Sequence, residues 1–193
     1  MSNSLEANTA LISYLRFKRQ MPYVCTECDV PGNAKADVLA SDGKLLHEYE
    51  VKVSVSDTRV DLDKRKHIKY KESVTGTPNT LTYVVHKDIA EKAMSILPEE
   101  YGVIAFTDFR FHSVKVLRKP KKLHDRPVTP ATLLKMAKRM SSEIANHWIS
   151  LVCRLDLNRE ELIREVLDNC LKMEKVEIDS ILDMAQLESV NPK

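Results

Sequence analysis

Ala34 to Val53 reads AKADVLASDGKLLHEYEVKV, two partly apolar runs joined at Asp42-Gly43. Asp-Gly between such runs is a tight-turn signal, so the stretch predicts a β-hairpin. A turn centred there pairs Ser41 with Lys44 and sets Asp37 opposite Glu48. Glu50 then lies diagonally across from Asp37, at about 7–8 Å between Cβ atoms. Strand alternation puts Asp37, Glu48, Glu50 and Lys52 on one face and His47, Tyr49, Val51 and Val53 on the other. Carboxylates crowded on one face repel each other, and a hard divalent cation relieves that cost. A lysine at the end of the row suits a site that orients water or stabilises charge on a phosphate. The same alternation also describes a solvated strand face, and the apolar residues around the acids favour the site.

Outward from the hairpin, Leu5 to Arg19 reads as an amphipathic helix ended by Met21-Pro22, with Leu5, Leu11, Ile12 and Leu15 on its apolar side. Tyr23 to Asp29 reads as a first strand and Pro31-Gly32-Asn33 as a turn. After the hairpin, Asp57 or Thr58 caps a helix predicted over Arg59 to Ser73, where Lys66, Lys69 and Tyr70 share a face. Leu81 to His86 and Tyr101 to Thr107 are apolar enough for buried strands, separated by a helix from Asp88 to Leu97. Ser113 to Lys119 is an outer strand. Thr129-Pro130 opens a helix to about Trp148 or Arg154, with Leu133, Leu134, Met136, Ala137, Met140, Ile144 and Trp148 apolar. Two further helices are predicted, one opened by Asn158 and Glu161 and ending near Lys172, the other over Glu174 to Glu188.

Asp37 followed by Glu50-Val51-Lys52 on the next strand resembles the PD-(D/E)XK nuclease superfamily, the restriction-endonuclease-like fold. The continuation EVKVSVSDTRVDLDKRKHIKY is similar to small bacterial and phage nucleases of that superfamily, including MmcB-like DNA-repair proteins. Ala36 stands where the motif commonly has proline. The resemblance covers roughly Leu5 to Lys122. It implies an α/β fold whose core runs helix, three-stranded meander, helix, strand around a mixed sheet, followed by a C-terminal helical extension. On that reading residues 1–125 form the nuclease core and residues 126–193 a helical accessory region.

The resemblance further implies a metal-dependent DNA endonuclease, an enzyme hydrolysing phosphodiester bonds. Asp37, Glu50 and the backbone C=O of Val51 would hold Mg²⁺ or Mn²⁺, and Lys52 would assist water attack and stabilise charge. Glu6, Glu48, Lys66, Lys69 and Tyr70 are accessory candidates. Arg65, Lys66, Lys69, Lys119, Lys121 and Lys122 are candidate DNA contacts. Two alternatives stand beside it. One is an inactive nucleic-acid-binding or assembly module on the same fold; the other is a dimeric resolvase of branched DNA joined through the C-terminal helices.

Composition sets the remaining bounds. With 193 residues, 4 glycines and 30% charged residues, the chain suits one domain with an appendage. No apolar run approaches the length of a membrane span. The opening MSNSLEANTA lacks a signal peptide's basic flank and apolar core, which predicts a cytoplasmic protein, and the resemblance implies a bacterial cell or phage-infected host. The formal charge of +2 hides an asymmetry. Arg110 to Lys122 carries Arg110, Lys115, Arg118, Lys119, Lys121 and Lys122 without an acid, whereas acids outnumber bases from Arg159 onward. A basic segment of this kind fits a polyanion. Cys25-x-x-Cys28 has the spacing of half a zinc site, but no second pair follows; both read as first-strand residues.

Overall fold

A computed structural model describes residues 4–30, 34–72, 75–107, 114–154, 161 and 164. The predicted turn at 31–33, Arg110, the helix over 174–188 and all but residues 161 and 164 of the helix over 158–172 therefore lie outside the described residues, as does the side chain of Glu6.

The protein is α/β. Helix α1 (Ser4–Ser13) runs into a π-helical turn (Tyr14–Lys18), then come β1 (Tyr23–Val30), β2 (Ala34–Ser41) and β3 (Leu46–Lys52). Helices α2 (Val55–Leu62) and α3 (Lys66–Lys71) lead to β4 (Thr80–His86), α4 (Lys87–Ile96) to β5 (Gly102–Phe106), and β6 (Lys115–Arg118) follows. The six strands form one mixed sheet in the order β1-β2-β3-β4-β5-β6. The first three are antiparallel neighbours, β3, β4 and β5 are parallel, and β6 returns antiparallel. The two parallel steps are the ones spanned by helices, as a parallel connection requires.

Each face of the sheet is covered. On one, Ala7, Leu11, Tyr14 and Leu15 pack on Val38, Tyr49, Val51, Val84, Ile104 and Phe106. Ala7 and Ala10 are fully buried, so small residues, more than the leucine stripe, bring α1 close to the strands. On the other, Tyr70 of α3 and Ala90 and Ala93 of α4 pack on Leu81, Tyr83, Val85, Val103 and Ala105.

The hairpin differs from expectation in register. Ser41 pairs with Leu46 and Val38 with Tyr49, a shift of two residues. Asp42 causes it: its Oδ1 accepts the N–H groups of both Lys44 and Leu45 at 2.8 Å, closing a four-residue loop with Gly43 at φ 91°. A two-residue shift keeps every side chain on its face. It brings Asp37 level with Glu50 instead of Glu48.

The helix predicted over Arg59 to Ser73 is two helices. Ser54, not Asp57 or Thr58, caps the first, its Oγ accepting the Asp57 N–H at 3.0 Å. The chain turns at residues 63–65, where the Lys64 N–H reaches the Asp61 carbonyl at 3.0 Å.

Thr129 caps the next helix as expected, its Oγ1 accepting the Thr132 N–H at 3.1 Å. The chain forms two compact units, Met1–Glu143 and Ile144–Lys193. Within the first unit, residues 130–143 pack on β1 and β2. Met136 is fully buried against Cys25, Cys28, Leu39 and Leu46, and Glu143 Oε1 accepts the Thr26 N–H at 2.9 Å. Met136→Ala should therefore cost about 2–5 kcal/mol in urea unfolding, the range for a buried methionine truncation. Residues 144–154 of the second unit are also helical.

Candidate functional site

β3 carries Glu48, Glu50 and Lys52 on the face beneath α2 and α3, and all three are buried. Lys52 Nζ lies 2.7 Å from Glu50 Oε2, 3.3 Å from Asp61 Oδ1 and 3.9 Å from Asp37 Oδ2. It thus links the two strands of the hairpin to α2. Lys66 Nζ sits 2.6 Å from Glu50 Oε1, 3.1 Å from Glu48 Oε1 and 3.3 Å from Asp61 Oδ2. Four carboxylates therefore surround two buried ammonium groups, and tyrosine hydroxyls complete the set. Tyr83 donates to Asp61 Oδ2 at 2.7 Å, and Tyr70 donates to Glu48 Oε2.

Exposure separates the four acids. The side chains of Glu48, Glu50 and Asp61 are at most 3% exposed, whereas that of Asp37 is 32% exposed. Asp37 Oδ2 accepts the Val51 N–H at 2.8 Å, which fixes the carboxylate against β3. Asp37 is the opening of the cluster.

The electrostatics follow from burial and charge. Burial, then the charge of Glu50, raises the Asp37 carboxyl to about 6, with Val51 and Lys52 opposing. Burial raises Glu48 to about 7 against the pull of Lys66. For Glu50, burial pushes upward, but Lys66 and Lys52 outweigh it and hold the group below the usual range. Burial opposes ionisation of Asp61 as well, yet His67, its Nε2 3.6 Å from Oδ2, and the charges of Lys66 and Lys52 keep it low. Burial likewise disfavours charge on Lys52 and Lys66, and their acidic neighbours overcome it, raising both.

The sequence-predicted core residues Asp37, Glu50 and Lys52 converge. Glu48 is fully buried and paired, not solvent-facing. Lys66 was expected to reach phosphate, but it is enclosed among acids; burying an ammonium is tolerable only where carboxylates repay its desolvation. Tyr70 joins the cluster. Lys69 is half-buried and Arg65 exposed. Lys119, Lys121 and Lys122 are exposed, and Lys119 and Lys122 border a cavity on the α1 face instead of the acid cluster. Asp61, Tyr83, Tyr101 and His67 were not singled out as site residues. His67 bonds the Asp61 carbonyl at 2.9 Å and the Tyr101 hydroxyl at 2.9 Å, bracing the turn that delivers Asp61.

Cys25 and Cys28 lie buried in β1, and among the described residues no group of three or more His, Cys, Asp and Glu could hold a metal ion by itself. The pair Asp37 and Glu50 nevertheless suits a Mg²⁺-type cation, which commonly takes one or two protein carboxylates and keeps several waters. Glu50 Oε1 is buried and held by the Lys66 ammonium at 2.6 Å, an ion pair without aligned hydrogen-bond geometry.

A scan against protein-family models finds no match, and a search of curated proteins finds none either. A search of solved structures finds SPO1766, a protein of unknown function from Silicibacter pomeroyi. It is similar over 78% of this chain and 92% of its own, with a TM-score of 0.56 and 14% identity. That likeness shows the α/β fold. Among the described residues no helix is long and apolar enough to cross a membrane.

Proposed function

We propose that the protein is a divalent-cation-dependent DNA endonuclease of the restriction-endonuclease-like fold. The order helix, three-stranded meander, helical connection, parallel strand supports the fold reading. The observation that carries the function is the half-open Asp37 carboxylate beside buried Glu50, with the Lys52 ammonium against both.

Asp37 and Glu50 would hold Mg²⁺ or Mn²⁺, with the Val51 carbonyl as a further donor by resemblance. When bound, such a cation lowers the pKa of a water and offsets charge on the scissile phosphate. The protein's own groups do the positioning. Asp61 and Glu50 hold Lys52 in one place, charged, at the edge of the opening. Lys66 neutralises Glu48, Glu50 and Asp61 from behind, so the acids stay packed together before any ligand arrives. Arg65 and Lys69 would meet the phosphate backbone without reading sequence, which makes binding salt-sensitive.

The Asp37 carboxyl must be ionised to take a cation, and in the free protein it gains its proton at about 6. Lowering pH through that value should weaken Mg²⁺ affinity by up to about tenfold per unit, with a plateau above it. Cleavage rates at subsaturating Mg²⁺ between pH 5 and 8 check the sign.

A second reading, an inactive nucleic-acid-binding module, draws on one observation: both Glu50 oxygens already face lysines. Supercoiled, linear, single-stranded and branched DNA incubated with Mg²⁺ or with EDTA, with Glu50→Ala and Lys52→Ala alongside, separates the two. Metal-dependent cutting lost in both variants supports the enzyme. DNA binding without cutting, unchanged by either substitution, supports the module.

A further inference from the structure

On the opposite face of the sheet from Asp37 lies a cavity of about 460 Å³ that the nuclease reading does not use. Its size falls within the range of roughly 300–1,000 Å³ common to small-molecule sites. The π-helical turn after α1 contributes Tyr14, and the turn's end contributes Arg19; β3 contributes His47 and Tyr49. Tyr14 and Tyr49 are 6% and 8% exposed and line the cavity, and neither hydroxyl is a buried polar atom left without a partner. A tyrosine at a cavity wall offers an apolar ring edge together with a hydroxyl that can bond a ligand.

The charge at this cavity is positive. Arg118 is engaged by the carbonyls of Tyr101 and Pro98 at 2.8 and 2.9 Å, and Lys122 pairs with Asp125 at 2.9 Å. Arg19 and Lys119 make no ion pair with the described residues. Arg19 stands close enough to act on its neighbours: burial raises Tyr49 to about 12 and Arg19 counteracts it, while burial lowers His47 and Arg19 adds to that. Asp42, the one acid among the described residues of the wall, has its Oδ1 committed to the Lys44 and Leu45 N–H groups at 2.8 Å. Ile104 and the two tyrosine rings supply apolar surface for a flat ring.

We propose that this cavity binds a nucleoside 5′-monophosphate, its phosphate on Arg19 and Lys119 and its base against Tyr14 and Tyr49. A free arginine and lysine recognise a phosphate. Aromatic side chains in the lining favour a planar base over an aliphatic chain. Because the sheet separates this cavity from Asp37 and Glu50, the site stands apart from the acid cluster.

Calorimetric titration of the full chain in EDTA with deoxyadenosine 5′-monophosphate, deoxyadenosine and inorganic phosphate tests it. The monophosphate should bind wild type at least about tenfold more tightly than either fragment. Arg19→Ala should weaken it about tenfold, and Tyr49→Phe, which keeps the ring, several-fold. Equal affinity for inorganic phosphate, binding indifferent to both substitutions, or no binding at millimolar ligand would each overturn the proposal. EDTA removes divalent cations, so none of these outcomes bears on the nuclease reading.

Discussion

Asp37→Asn is expected to lower Mg²⁺-dependent cleavage by at least about 10²–10³-fold while leaving the protein folded. The magnitude is that of removing one well-placed charged group from a transition-state site. The amide keeps an oxygen to accept the Val51 N–H, so local geometry is preserved. Stability should hold or rise slightly above pH 6. Burial and Glu50 raise Asp37 above the value it has unfolded, so its contribution to stability is full at low pH and is lost as pH rises through about 6. Asparagine never ionises and avoids that loss. Loss of cleavage without loss of stability is the expected pair of results, read by plasmid nicking and urea unfolding.

Lys66→Met has the larger expected effect on the fold. Lys66 is 2% exposed at its side chain and faces Glu48, Glu50 and Asp61 within 3.3 Å. Removing one partner of a buried charge group leaves the others uncompensated, at about 3–5 kcal/mol. The deficit should depend on pH with a definite sign. Without Lys66, Glu48 rises further above its unfolded value, and Glu50 loses the largest of the charges that hold it down. Stability from a raised group is present below the unfolded value and lost as pH rises through the folded one. The variant should therefore lie nearest wild type at about pH 5 and fall furthest behind above about pH 7. A deficit that grows toward acid would contradict the assigned pairing.

How much of this was legible in the sequence differs from element to element. The hairpin faces follow from alternation alone, and because the Asp42 loop shifts register by two residues the acids stay together. What alternation could not show is that Asp42 would cap its own loop, since that depends on a side chain bonding two backbone groups at once. Asp61 was hidden by a larger difference. On one continuous helix, Asp61 and Lys66 are five residues and so about 140° apart, facing different ways. The turn at residues 63–65 folds them onto the same cluster, and no glycine or proline marks it. Tyr83 and Tyr101 sat within apolar runs that read as buried strands, and burial on both faces erases the pattern that would show where a hydroxyl points. Lys66 looked like any surface lysine, because its burial comes from contacts 16 to 18 residues distant in sequence with Glu50 and Glu48 on β3.

The most direct measurement is Mn²⁺ binding by electron paramagnetic resonance at pH 7.5, on wild type beside Asp37→Asn and Glu50→Gln. The account predicts a Mn²⁺ site in the wild-type chain that is lost or strongly weakened in both variants. Equal binding by all three proteins, or no binding by wild type, would contradict it.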